Sequence, residues 1–508
     1  MALYDEGYSL AVVGGGQSAK ALLMTVAERA LHRADRAVPS RIAIFERFAE
    51  LGPGFAWSPT FMLDEHLTSQ PAGSSRTAYG RMQPVVFEKL VVELARLGVR
   101  VDLFPRTEVR QVIREADCWR LVTASGAWRA EATVLATGHW TDEPPELAHV
   151  RYLHPWPAAH LGEAVSAALR NGLEIAVIGS YHTAIDVALT TALSAGVFES
   201  SCDGEVSYRA RKPFRITLMS RRGALPWVWP KRIRPYKLRC LTAERIAARS
   251  CRNGTRRALA LADLVGLLGE EVCGVRWRAN DDPLKWLTEH CRRLSSIDSL
   301  SLLQQALHGA APTGYSAWLR VLTAALPVIS ESYPYLGARD DCRFRRDFQT
   351  FFFNLAMPMA RETAKRVLAL ARVGCLRVRA IDAGDLHAPS FDLLINGRSS
   401  GGMIERHPSS LMRSLLRAGS IQPGLRPDEM QGVAGYSKVA GVHIDPLTCE
   451  VIPSGFAEPC AAASTRLYAM GPNVIGTFLD AQSSGQLLRD ADRILRHLMQ
   501  QTKSNTAR

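Results

Sequence analysis

Three glycines placed directly after a short apolar run are the first residues in this chain with a definable chemistry. Ser9–Val13 leads into Gly14-Gly15-Gly16-Gln17-Ser18-Ala19. An Ala- and Leu-rich stretch from Gln17 to Leu31 follows, then Arg41–Phe45 and Glu46. This order predicts strand, turn, helix and strand, the unit that holds a dinucleotide. Gly14 permits the tight turn, and Gly16 lets the backbone approach a pyrophosphate. Ala19 is small enough to stand where a third glycine would let helix pack on strand. The helix start offers N–H groups and a partial positive charge to phosphates. Glu46 stands where a carboxylate accepts hydrogen bonds from ribose hydroxyls.

A second set begins at Leu173–Ile178, which leads into Gly179-Ser180-Tyr181-His182-Thr183-Ala184. A helix over Ala184–Ala195 and a strand at Arg215–Met219 follow, the latter ending in Ser220-Arg221-Arg222-Gly223. Two arginines replace the acid of the first unit, which suits a 2′-phosphate and so NADPH over NADH. Gly179, Ser180, His182, Thr183, Arg221 and Arg222 are the candidate contacts. Tyr181 stands where the second glycine is expected and crowds a pyrophosphate. The alternative is a dinucleotide-type unit kept only for its fold.

Other elements must position these turns. Val99–Asp102, Arg110–Arg114, Trp119–Thr123 and Arg129–Leu135 alternate in polarity as short strands and end at Ala136-Thr137-Gly138. The run Ala95–Val101 is echoed by Ala371–Val378, each a helix end, a glycine cap and a strand. Strands at Leu376–Ile381 and Phe391–Ile395 then suggest a second meander. From Lys237 to Arg372 the pattern is helical, with Leu259, Leu261, Leu264, Leu267 and Leu268 at helix spacing. The aromatic run Phe348–Phe353 fits core better than a substrate wall. Arg466–Met470 is a strand before Gly471-Pro472, and a helix over Ser484–Gln501 follows.

Composition bounds the function. The chain has 508 residues, 47% hydrophobic and 22% charged, which excludes a disordered or collagen-like protein. A net charge of +13 favours anionic partners without choosing among them. No apolar run reaches the ~18 residues that span a bilayer, and the start, Met1–Glu6, is acidic where a secretory signal is basic. The expected location is cytoplasmic, with no membrane partner. None of the ten cysteines are spaced as CxxC or CxxxxC, so neither a dithiol relay nor a paired-cysteine metal site is expected.

These residues resemble the bacterial FAD/NAD(P)-binding proteins of the two-dinucleotide-binding-domain flavoproteins, distantly similar to class B flavin monooxygenases and N-hydroxylases. The resemblance is carried by Gly14–Ala19 with Glu46, Leu51–Ser58, Val134–His139, Ser220–Pro226 and Leu467–Pro472. It implies an α/β fold with two Rossmann-like domains and a helical insertion. The FAD domain would be discontinuous, 1–150 and 373–501. An NAD(P) domain would span 151–236, a helical lid 237–372 and a flexible tail 502–508. It further implies that Arg47, Phe55, Trp57, Thr137, Gly138, Gly471 and Pro472 lie by the flavin.

The chemistry so implied is FAD-dependent, NADPH-reduced oxidation. The leading form is a monooxygenase hydroxylating a small amine or amino-acid-like metabolite, with the protein supplying orientation and a dry site. His66 is the candidate general acid or base beside the flavin, with a structural histidine as its alternative. His139 and Asp186 fit structural roles. Lys231, Arg232, Arg234, Lys237 and Arg239 form a basic face, interleaved with Trp227, Trp229 and Tyr236, yet no nucleic-acid motif accompanies them and no nucleic-acid partner is expected. Two further forms remain open. One is a flavoprotein oxidase or partner-reduced flavoenzyme not using NADPH directly; the other is a non-catalytic binding protein on the flavin fold.

Overall fold

A computed structural model describes residues 7–32, 38–70, 73–140, 151–170, 172–232, 234–252, 255–256, 259–278, 280–295, 297–310, 314–381, 391–398, 402–430, 433–458 and 464–506. Met1–Glu6 lie outside these. The chain forms two units: residues 1–58, 79–143 and 400–508, and residues 59–78 and 144–399.

The first unit is built on β1 (Tyr8–Val13), α1 (Gln17–Leu31) and β2 (Arg41–Phe45), with bounds that follow from the apolar run, the glycines and the return of β-branched residues. After α2 (Arg76–Arg96) come β3 (Arg100–Phe104), β4 (Gln111–Arg114), β5 (Trp119–Val122) and β6 (Ala127–Leu135). β3, β2, β1 and β6 are parallel neighbours in that order. The first half of β6 pairs antiparallel with β5 and so with β4. Its second half is free to take a late strand of the chain, Leu467–Ala469, in parallel. Leu10, Val12, Ile42, Ile44 and Val134 are fully buried in this sheet.

The second unit begins with β7 (Arg151–Leu153), α3 (Ala158–Ala168), β8 (Leu173–Ile178) and α4 (His182–Ala195). A hairpin of β9 (Gly196–Ser200) and β10 (Val206–Ala210), with no counterpart in the sequence reading, precedes β11 (Phe214–Ser220). The helical expectation holds for α5 (Ala243–Ser250), then past a small ladder of β12 (Cys251–Arg252) and β13 (Thr255–Arg256). It continues through α6 (Leu261–Cys273), α7 (Pro283–Ser295), α8 (Ser299–Leu307), α9 (Tyr315–Ser332), α10 (Ala338–Arg343), α11 (Gln349–Ala356) and α12 (Arg361–Arg372). A π-helical turn, Phe344–Phe348, joins α10 to α11. Within the aromatic run Phe348 and Phe352 are buried in the core, while Phe351 and Phe353 are partly exposed.

The expected second meander is corrected here. β14 (Leu376–Ala380) pairs parallel with β11, and β15 (Leu393–Asn396) pairs parallel with β8 and β7. Both are therefore members of one parallel sheet, in the order β14-β11-β8-β15-β7. β15, four buried residues long, has the continuous burial of a strand covered on both faces of a parallel sheet, whereas β14 alternates Leu376 and Val378 with arginines as an edge strand. Residues 373–399 thus belong to the second unit, and the helical insertion lies in the crossover between its β11 and β14.

The first unit closes with α13 (Ser410–Arg417), an antiparallel hairpin of β16 (Pro423–Met430) and β17 (Val433–Val442), β18 (Leu467–Ala469) and α14 (Ser484–Thr506). Leu487, Ala491, Ile494, Leu495 and Leu498 give α14 one apolar face, and its Asp492 pairs with Arg29 of α1. The helix runs through Thr506, so residues 502–506 of the expected flexible tail are helical, and 507–508 lie outside the described residues. Among the described residues no helix is long and apolar enough to cross a membrane.

Candidate functional site

In the first unit the glycine turn is held by contacts that leave no room for side chains. Gly14 has φ +112°, and a Cβ there would lie 2.2 Å from the Ala136 carbonyl oxygen. At Gly15 a Cβ would meet Glu46 and Leu51 at 3.0 Å, and at Gly16 it would meet the Gly54 Cα at 3.0 Å. The Gly14 N–H donates to the Phe45 carbonyl at 2.8 Å, which ties the turn to the end of β2. Ala19 is fully buried, as close helix–strand packing demands.

Gly16 is the N-cap of α1, and no side chain caps this end. An uncapped helix start carries unsatisfied N–H groups and favours an anion. Glu46 fixes the turn from the other side. Its Oε2 accepts from the Gly15 N–H at 2.8 Å and its Oε1 from the Phe48 N–H at 3.0 Å. Each oxygen keeps a second lone pair for a hydroxyl donor. Arg47 is exposed, stacked over Phe48.

Three further segments close on this turn. The Gly52 N–H donates to Gly15 O at 2.7 Å, and Gln17 Nε2 donates to Gly52 O at 2.6 Å. The following aromatics are held by ring contacts: Phe55 lies 5.8 Å from the His139 ring, Trp57 4.8 Å from Tyr79. From the turn after β6, Thr137 Oγ1 donates to Asn473 Oδ1 at 3.1 Å, while Asn473 Nδ2 donates to Leu135 O. Gly471, φ +67°, would put a Cβ 2.8 Å from Ser18 Oγ at the start of α1. The structure therefore gathers Gly14–Ala19, Glu46, Thr137 and Gly471 in one place, with Gly138 and Pro472 in the same two turns. Asn473 was not foreseen, although it directly follows Gly471-Pro472.

Two more residues escaped the sequence reading or were left without a role. Trp140 and His407 are buried with ring centroids 4.5 Å apart. Trp140 Nε1 and His407 Nε2 have no hydrogen-bond partner among the described residues. His407 Nδ1 accepts from the Ser409 N–H. Burial, then the Arg47 and Arg413 charges, push the His407 pKa down to about 4. Against 6.5 in the unfolded chain, the unfolded state binds more protons between these values. His407 thus contributes stability that is fully present above pH 6.5 and is lost as pH falls towards 4, up to about 3 kcal/mol. Urea unfolding of the wild type at pH 7 and pH 5 should show this loss, and a His407→Phe variant should show a smaller one. Equal slopes for both proteins would rule it out.

The second turn repeats the first backbone but not its opening. Gly179 has φ +118°, its N–H donates to Met219 O at 2.6 Å, and a Cβ would strike Gly397 O at 2.8 Å. Tyr181 is the N-cap of α4. Its hydroxyl donates to Phe353 O at 3.3 Å, and His182 Nε2 lies 3.0 Å from Met357 O. The end of α11 therefore sits over the start of α4. Burial pushes the His182 pKa to about 4, so the ring is neutral and its Nε2–H donates. Ser180 Oγ donates to Ser220 Oγ and Ala224 O; Thr183 is half-buried beside it.

The arginines expected to read a 2′-phosphate are also engaged. Arg221 donates to Arg345 O at 2.8 Å and Gln349 Oε1 at 3.2 Å. Arg222 donates to Arg346 O and Asp347 O at 3.4 and 3.1 Å. In this structure His182, Arg221 and Arg222 hold backbone carbonyls of the insertion, and the Tyr181 hydroxyl is bonded to one as well, so as placed these residues are engaged rather than open to the NADPH expected there.

His66 is corrected as well. It is 1% exposed, in the segment that belongs to the second unit. Nδ1 accepts from the Leu63 N–H at 3.3 Å, which leaves Nε2–H to donate to Thr190 Oγ1 at 3.0 Å. Burial and the nearby Arg76 charge lower its pKa, against Asp186, and keep it neutral. Both nitrogens are spent on structure. Asp186 pairs with Arg76 at 2.7 Å, the packing role expected of it. Trp227 and Trp229 are buried rather than presented for base stacking, and Tyr236 donates to Glu271. The described cysteines are all free thiols, and no described group of His, Cys, Asp and Glu could hold a metal.

No protein-family model matches this chain, and no curated protein matches it. Among solved structures the chain is similar to FAD/NAD(P)-binding flavoproteins. A thioredoxin reductase of T. acidophilum aligns over 98% of this chain and 99% of its own, at 9% identity and a TM-score of 0.36. The thioredoxin reductase of Lactococcus lactis aligns over 42% of this chain at 18% identity and a TM-score of 0.25. A flavin-containing monooxygenase from Stenotrophomonas maltophilia aligns over 42% at 16% identity and 0.26. This chain covers 56% and 58% of the latter two. At TM-scores this far below 0.5 the likeness carries no argument about this chain.

Proposed function

We propose that this protein is a FAD-dependent oxidoreductase with the flavin diphosphate on the Gly14–Ala19 turn. The observation that carries the proposal is the convergence of Ala136, Gly54 and Gly471 on an uncapped helix start that only glycines can line. The residues present fit the cofactor. Gly14–Gly16 and the first N–H groups of α1 would hold the diphosphate, and Glu46 the ribose. When bound, FAD supplies the electron chemistry that side chains lack.

The chain's own contributions are orientation and exclusion of water. The Thr137–Asn473 bond ties the turn after β6 to the carboxyl-terminal segment, so both would move together with the ligand. Phe55 and Trp57 supply apolar cover after Gly54.

The engaged state of Tyr181, His182, Arg221 and Arg222 favours a flavoenzyme that does not draw electrons from NADPH at the second turn. An oxidase, or an enzyme reduced by a partner, meets that condition. A second reading, the NADPH-reduced monooxygenase, is favoured by the intact Gly179 turn. It requires the Phe344–Met357 segment to leave that turn.

The test is spectroscopic. Purified full-length protein should take up FAD and turn yellow, dithionite should bleach it anaerobically, and NADPH should leave it oxidised over the same interval. A chain unable to hold FAD would sink the first proposal. Rapid, saturable bleaching by NADPH would instead sink only the exclusion of NADPH and return the monooxygenase reading.

A further inference from the structure

The outer face of α2 is apolar where a helix facing water is ordinarily polar. Met82, Val85, Val86 and Val92 are 40% to 63% exposed and recur at helical spacing on one side. Phe87 and Leu94, on the opposite side, are buried in the core of the first unit. The apolar surface continues on α1. Met24 is exposed there, one turn beyond Lys20, whose ammonium bonds Gln83 of α2. Single exposed apolar residues need no explanation, but a contiguous patch marks a surface that another body covers.

The charges within the stripe say what that body is. Arg96 and Glu93 pair with each other at 3.3 Å. Glu88 and Lys89 are exposed at the middle of the stripe and form no ion pair among the described residues. Sequence neighbours on a helix point about 100° apart and cannot serve each other. A second α2, laid antiparallel across a two-fold axis between residues 88 and 89, serves both. Glu88 then meets the partner's Lys89 and Lys89 the partner's Glu88, while Val85 meets the partner's Val92 on each side of the axis. A patch complementary to itself is what an isologous dimer requires. A lipid surface matches less well. An anionic bilayer repels Glu88 and Glu93, and α2 shows no exposed aromatic anchor, since Tyr79 is half-buried and Phe87 buried.

We propose that α2 is the dimer face of this protein, its occupant a second copy of the same chain packed antiparallel. These residues all belong to the first unit, and none of them touches the glycine turn, so the dimer stands whether or not a flavin binds. Met82–Arg96 is roughly 20 Å of helix, a small patch against the ~800 Å² per partner of a standard stable interface. Association is therefore expected to be reversible at micromolar concentration.

The experiment is sedimentation of the full-length protein from nanomolar to high micromolar concentration. The wild type should pass from one chain mass to two as concentration rises. Val85→Glu sets a charge against the partner's Val92 twice per dimer and should weaken association at least about tenfold. Lys89→Glu gathers four carboxylates at the axis and should weaken it similarly. The exchange Glu88→Lys with Lys89→Glu reverses each pair and should restore the wild-type constant. These side chains are exposed, so the dilute variants should melt with the dilute wild type, which separates lost association from misfolding. A wild type of one chain mass at every concentration overturns the proposal. So does a dimer indifferent to Val85→Glu, or a double exchange no better than Lys89→Glu alone. Monomeric protein that sediments with phosphatidylglycerol vesicles would give the face to a bilayer instead.

Discussion

Replacing Gly14 by alanine should yield a protein without flavin. Residue 14 sits at φ +112°, where an L side chain is strained, and the new Cβ would stand 2.2 Å from the Ala136 carbonyl oxygen. Neither atom has freedom to yield. Gly14 is bonded to Phe45 O, and the Ala136 N–H donates to Val13 O. Strain and overpacking together cost on the order of 3 kcal/mol. The turn must shift, and with it the N–H groups proposed to face the diphosphate. The measurement is flavin content after reconstitution, with urea unfolding as its companion. Glu46→Gln gives the milder control, since it adds no atom inside the turn and removes only one of the two acceptors offered to the Gly15 and Phe48 N–H groups. It should remain folded and bind FAD about tenfold more weakly. Alanine at residue 14 with undiminished flavin would remove the basis of the proposed function.

Removing the Arg76 charge should be the most damaging single change in the second unit. Arg76 Nη1 donates to Asp186 Oδ2 at 2.7 Å, and the two side chains are 13% and 8% exposed. Arg76 Nε also donates to Leu67 O. With Arg76→Leu the Asp186 carboxylate is left buried and uncompensated, a loss of about 3–5 kcal/mol. The double variant Arg76→Leu, Asp186→Leu removes both charges and should recover most of that loss. A double variant no more stable than the single one would show that the damage lies in the lost Leu67 contact. The same ion pair, with the His66–Thr190 bond, docks residues 59–78 on α4. The single variant should therefore be cut sooner by protease within that segment.

Both glycine turns were legible as spacing. β1, α1, β2 and β8 begin and end where apolar periodicity and the glycines place them. Gly98 and Gly374, expected as helix caps, both have positive φ. The partners of β14 and β15 were not legible, because a strand's neighbour is set by the sheet it joins and similar sequences pair equally well elsewhere. Asn473 carries no spacing signal of its own. Its role arises from β18 lying beside β6, more than 300 residues away in sequence.

The sequence by itself determined what must be local. A turn that bars side chains, a helix start without a cap and a carboxylate after the second strand follow from short stretches of chain, since φ, capping and strand length are decided by near neighbours. Whether each turn stays open was decided only by tertiary structure. Gly14–Gly16 is lined by other backbone, whereas Tyr181 and His182 meet the carbonyls of α11, over 170 residues further on. A hydrogen bond formed at that separation leaves no pattern in the sequence, because any exposed carbonyl serves as acceptor.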